Sequence, residues 1–147
     1  TDKVINVLQK IDHSMIFVLI AGTYTPICLT LLRGWLGYTL LSVIWSCAAI
    51  GIVSKIFFFN IPRSVYTGIY IIMGWIAVFA VAPLYKAGGV RSIIWLLMGG
   101  VLYTIGGVMY AIKKPNIFPS WLGFHELFHV FVMLGSTAHY VMIFRFC

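Results

Sequence analysis

The chain has 147 residues, 62% of them hydrophobic and 9% charged. Soluble domains run at about 45–50% apolar and about 25% charged, so the composition excludes a soluble globular protein and describes an integral membrane one. The net charge of +7 comes from ten Lys or Arg against three acids. These basic residues sit between the apolar runs and form no contiguous face, which excludes nucleic acid as a partner and favours contact with membrane lipids.

A helical span needs about 20 apolar residues. The length therefore accommodates five spans with short connections in an all-α polytopic transmembrane helical bundle, one domain over 1–147. Helices are expected over 12–32, 35–54, 64–84, 91–111 and 122–145. The breakers between them are Arg33-Gly34, Lys55 with Asn60-Ile61-Pro62-Arg63, Lys86-Ala87-Gly88-Gly89, and Lys113-Lys114-Pro115-Asn116.

The first helix opens on Asp12-His13 and contains Pro26, which removes the bond to the Gly22 carbonyl and predicts a kink. Trp35 near the start of the second helix, Trp95 in the fourth and Trp121 before the fifth suit an interfacial aromatic belt. Gly99-Gly100 and Gly106-Gly107 place a smooth stripe on the fourth helix for close backbone approach. Cys28, Cys47 and Cys147 show no paired spacing, and none is expected in a disulfide or a thiolate metal site.

Short loops force the five helices to alternate in direction. Lys3, Lys10, Lys55, Arg63, Lys113 and Lys114 then share one side of the membrane, and Arg33, Lys86, Arg91 and Arg145 the other. The six-to-four excess makes the first side cytoplasmic by the positive-inside rule. Helices one and five both begin there, so Asp12 and the segment His125-Glu126-Leu127-Phe128-His129 share a membrane depth.

In that segment two imidazoles stand at i and i+4, with Cβ atoms about 5–6 Å apart, so both reach one metal ion. Ionisable residues are costly in hydrocarbon, which makes the cluster a functional-site hypothesis by default. Zinc takes three protein ligands plus a water, or four ligands, and the chain holds only three acids, Asp2, Asp12 and Glu126. Asp12 is the acid that helix parity delivers, whether it binds the metal directly, holds a metal-bound water or caps its own helix. His13 lies about 100° around the helix from Asp12 and reads as an interfacial or supporting residue. His125, His129, Val132, Ser136 and His139 form one polar stripe, which could line a cavity also faced by Asp12, Met15, Leu19, Thr23 and Pro26. His139 has the alternative of bonding a neighbouring helix. The His-Glu-x-x-His string also matches a metalloprotease motif with glutamate as general base.

Asp12-His13-Ser14, Ile16-Phe17, Leu19-Ile20-Ala21-Gly22-Thr23-Tyr24-Thr25-Pro26, the His125 to His129 segment and His139-Tyr140 together resemble the hemolysin III family, relatives of the adiponectin and progestin receptors. The resemblance runs the length of the chain. It implies a seven-helix bundle with a cytoplasmic N-terminus and zinc near the cytoplasmic end, of which five helices are present here. His125 and His129 match its final-helix zinc ligands, and Asp12 matches the aspartate that contacts zinc through a water. No residue here matches the remaining histidine ligand, which the family carries near the end of its second helix. Glu126 stands where the human receptors have an amide, which makes it a poor obligatory base. The implied function is a zinc-dependent hydrolase of lipid amides in a bacterial plasma membrane, with Asp12 as the catalytic residue. The alternative is a non-enzymatic receptor-like or pore-forming protein with structural zinc.

Overall fold

The computed structural model describes residues 2–57, 61–114 and 123–147. Its helices are α1 (Asp2–Thr30), α2 (Trp35–Phe57), α3 (Arg63–Trp75), α4 (Val81–Ile112) and α5 (Phe124–Phe146), with a 3-10 segment, Ile76–Ala80, joining α3 to α4. The described residues contain no strand. Asn60, Pro115, Asn116 and Trp121, named above as breakers or belt residues, lie outside the described residues.

Four helical stretches are long and apolar enough to cross a membrane: Lys10–Thr30, Trp35–Phe57, Ser64–Ile112 and Phe124–Phe146. The third has 49 residues, about 73 Å of helix against a hydrocarbon core of about 30 Å, so it must turn back. It does so at Gly89, whose φ of 69° and ψ of −171° lie outside helical geometry. The two arms pair in antiparallel fashion. The Ser92 hydroxyl donates to the Leu84 carbonyl at 3.4 Å, and the Trp75 indole N–H donates to Thr104 Oγ1 at 2.9 Å. Gly107 faces Thr67. Five membrane passages result, in an all-α polytopic bundle.

Two details depart from the sequence reading. Helix α1 begins at Asp2 rather than at 12, because a helix does not stop where its membrane-crossing run starts. Val4, Val7, Leu8 and Ile11 repeat at helical spacing along this extension, and all are exposed. The third span is also interrupted, tightening after Arg63–Trp75 into 3-10 geometry ahead of Pro83, where one continuous helix over 64–84 is expected from sequence. That proline has no N–H and its ring crowds the carbonyl four residues back. The Tyr24 hydroxyl mends the break: it accepts the Ala77 N–H at 2.8 Å and lies 2.8 Å from the Met73 carbonyl and 2.9 Å from that of Gly74.

Phe17, Ile44, Met73, Leu84 and Met142 fill the interior. Large apolar side chains also cover the outside, with Phe79 85% and Phe144 78% exposed. Contiguous apolar exposure of this kind suits a lipid solvent. Cys28 is buried, Cys47 half-buried and Cys147 exposed, and all are free thiols.

The glycine stripe on α4 lets neighbours approach closely. A Cβ on Gly99 would fall 2.3 Å from the His139 ring, and one on Gly106 2.8 Å from Phe131, both on α5. Gly100 faces open space. Gly99→Ala should therefore destabilise the bundle by about 1–3 kcal/mol through overpacking, whereas Gly100→Ala should stabilise it by about 0.5–1 kcal/mol through helix propensity. Unfolding of the two variants in detergent, read by circular dichroism, checks the opposite signs.

Candidate metal centre

Asp12 lies near the start of the apolar part of α1, and His125 and His129 occupy the first two turns of α5. The i, i+4 spacing brings the two Nε2 atoms to 3.2 Å of one another. Asp12 Oδ1 lies 3.7 Å from His129 Nε2, and Oδ2 lies 3.9 Å from His125 Nε2. One donor atom from each residue fits within a 4.8 Å span, and all three side chains are partly exposed.

These separations suit a metal ion. Ligands about 2.0–2.1 Å from a tetrahedral ion stand about 3.3 Å apart, close to the spacing of the two imidazole nitrogens. The slightly longer carboxylate distances accommodate direct ligation or an interposed water. Two ring nitrogens that face each other beside a carboxylate are also a poor arrangement unless a proton or cation lies between them. The residues therefore fit a divalent cation of the kind that imidazole and carboxylate bind.

The chain's other two histidines point elsewhere. His13 is buried, and its Nε2 is hydrogen-bonded to the Tyr110 hydroxyl, while its Nδ1 lies 3.8 Å from Asp12 Oδ2. His139 is buried with Nε2 3.2 Å from the Leu96 carbonyl and its ring edge-on to Tyr103. It packs α5 against α4 and does not reach the cleft described next.

A cleft of about 630 Å³ opens beside the cluster between α1 and α5. Asp12, Met15, Leu19 and Thr23 line one wall, and His129, Val132 and Ser136 the other. The two stripes drawn from sequence meet here, without Pro26, His125 or His139. Helix pitch places His139 about 21 Å along α5 from His125, and its bond to Leu96 turns it toward α4.

Glu126 is exposed and does not join the cluster. It is the third residue after the N-cap Gly123, and its Oε2 lies 2.8 Å from the place a Cβ on Gly123 would occupy. A carboxylate folded back over the first turn suits helix capping and the positive end of the dipole.

Tyr110 and Tyr70 are the site neighbours that sequence reasoning missed. The Tyr70 hydroxyl donates to the His13 carbonyl at 2.9 Å, and the Tyr110 ring lies 6.0 Å from that of His125. The available signal was depth: the third span begins, and the fourth ends, on the side where the first and fifth begin.

Five membrane passages and an Asp, His, His cluster beside a cleft define a polytopic helical membrane protein with a candidate intramembrane metal centre. Residues 1–140 match the family model described as Haemolysin-III related, and the chain belongs to that family. It is 42% identical over 142 residues to the "Hemolysin-3 homolog" of Bacillus subtilis (strain 168), covering 97% of this chain and 64% of that protein. It is also 42% identical over 142 residues to the "Hemolysin-3" of Bacillus cereus, covering 96% and 62%. The chain thus spans less than two thirds of the length of these relatives. The "Progestin and adipoQ receptor-like protein 1" of Caenorhabditis elegans is 25% identical over 161 residues, covering 93% of this chain and 35% of that protein. No solved structure matches.

Glu126→Gln should leave retained divalent metal unchanged, as measured by mass spectrometry of the purified protein. Loss of more than half the metal would instead place Glu126 in the site.

Proposed function

We propose that the chain holds a catalytic zinc ion on His125 and His129, with Asp12 contacting it through a water, and that the protein hydrolyses amide bonds of membrane lipids. The observation that carries this reading is the position of Asp12 and His129 on the wall of the α1–α5 cleft, with His125 beside them. A structural zinc site is closed by four ligands, whereas a catalytic one keeps a position open. Here the donors are half-exposed and border a largely apolar groove with room for an acyl chain. The third nitrogen ligand is expected from a histidine outside these 147 residues, since His13 and His139 are engaged elsewhere.

A zinc ion bound there would supply Lewis acidity toward a carbonyl and lower the pKa of water to about 7. His125 and His129 would present their Nε2 atoms to it. The Asp12 carboxylate would orient the attacking water and accept its proton, and Met15, Leu19 and Val132 would hold the lipid chain. Glu126, turned over the N-cap, takes no part, which argues against a protease mechanism.

The excess of basic residues on the side where α1 and α5 begin supports a cytoplasmic position for the site in a bacterial plasma membrane. With the native cysteines replaced, a cysteine at Lys114 should then be labelled only from the cytoplasm and one at Lys86 only from outside. The reverse pattern would invert the orientation.

The printed names of the two Bacillus relatives favour a second reading, a non-enzymatic pore-forming or receptor-like protein with structural zinc. One experiment separates the two. The purified full gene product should carry one zinc per chain and hydrolyse a member of a lipid-amide panel, and His129→Ala should abolish both. Stoichiometric zinc with no turnover, and a conductance in pure lipid bilayers that survives His129→Ala, would favour the pore.

A further inference from the structure

Helix α1 packs chiefly on α2, with shorter contacts to α3 and α5 beside the cleft. One further contact stands next to Asp12, at the following residue. His13, about 100° around the helix from Asp12, turns into the bundle and bonds through Nε2 to the hydroxyl of Tyr110 on α4. Tyr110 is itself buried, and its ring packs on Phe128 with centroids 4.9 Å apart and beside Phe124 and His125 at 6.1 and 6.0 Å. From the other side the Tyr70 hydroxyl, on α3, holds the His13 main-chain carbonyl. Two helices thus converge on one residue of α1, and the side chain from α4 also backs a proposed metal ligand.

We propose that the Tyr110–His13 pair is the positioning brace of the metal centre, an inference that rests on the metal-binding reading above. The pair fixes the rotation of α1 about its axis and so aims the neighbouring Asp12 carboxylate at His125 and His129. Geometry shows how sensitive this is. A carboxylate carried about 5–6 Å from the helix axis moves by about 2 Å when the helix rotates by about 20°. Metal–ligand distances tolerate about 0.2 Å. A helix free to rotate by that amount therefore cannot hold Asp12 in register with α5. The Tyr110 ring acts on the second partner at the same time, limiting where the His125 imidazole can swing.

The test measures zinc affinity of the full gene product by chelator competition, together with the visible spectrum of its cobalt-substituted form. Tyr110→Phe should weaken zinc binding about 10- to 100-fold, as removal of outer-sphere partners does, and should alter the cobalt spectrum. His13→Leu removes the same bond from the other side and should give the same loss, so it serves if Tyr110→Phe does not fold. His13→Gln, which can still bond the hydroxyl, should restore affinity toward the parent value. Tyr24→Phe removes an equally buried hydroxyl at the 3-10 break, and it should lower thermal stability while leaving affinity and spectrum unchanged. Parental affinity and spectrum in Tyr110→Phe or His13→Leu, whatever their thermal stability, would overturn the brace alone. A parent that binds neither metal would overturn the metal reading and the brace together.

Discussion

In hydrocarbon no water is available to satisfy a polar atom, so each buried donor and acceptor must find its partner inside the bundle. Most of the polar architecture here follows from that constraint. The Tyr24 hydroxyl takes up main-chain groups freed by the 3-10 segment. His139 rests on the Leu96 carbonyl, and His13 is held between Tyr110 and Tyr70. Each of these links joins two helices, so satisfying polar atoms and fixing helix positions are the same event. Side chains alone leave the account open at the buried Tyr66 hydroxyl and His139 Nδ1, and at the Asp12, His125 and His129 cluster, where facing nitrogens and a carboxylate would be reconciled by a cation.

Close packing supplies the precision those links need. Helices in lipid gain little from burying apolar surface against one another and rely instead on contact at short range. Gly99 and Gly106 let α5 lie tightly against α4, while Gly107 admits Thr67 and Ile71 of α3. Helix α5, which carries both histidines, is thereby locked to the bundle through α4. Helix α1, which carries Asp12, packs chiefly on α2 and touches α5 over a shorter stretch beside the cleft. In the proposed brace, Tyr110 of α4 is the side chain that touches both His13 of α1 and His125 of α5.

The placement of the cluster also bears on its chemistry. A trio of donors sealed in a core would serve stability. Asp12 and His129 instead lie on the wall of an apolar groove, and Ser136 and Thr23 add hydroxyls along the same walls. The proposed function therefore depends on the α1–α5 separation as much as on the donor residues themselves.

The sequence by itself determined the membrane environment, the helical class, the five passages and the pairing of Asp12 with His125 and His129. Composition, span length, helical periodicity and helix parity are one-dimensional quantities, and each of these features depends on nothing else. The family was likewise legible in the motifs around Asp12 and His125. Only the tertiary structure decided which way each polar side chain turns. His139 was on the right stripe yet serves α4, the third span tightened ahead of Pro83, and Tyr110 gave no signal beyond its depth. The reason is physical: a helix stripe about 80° wide can face a cleft with one edge and a neighbouring helix with the other, and only packed neighbours settle which edge wins.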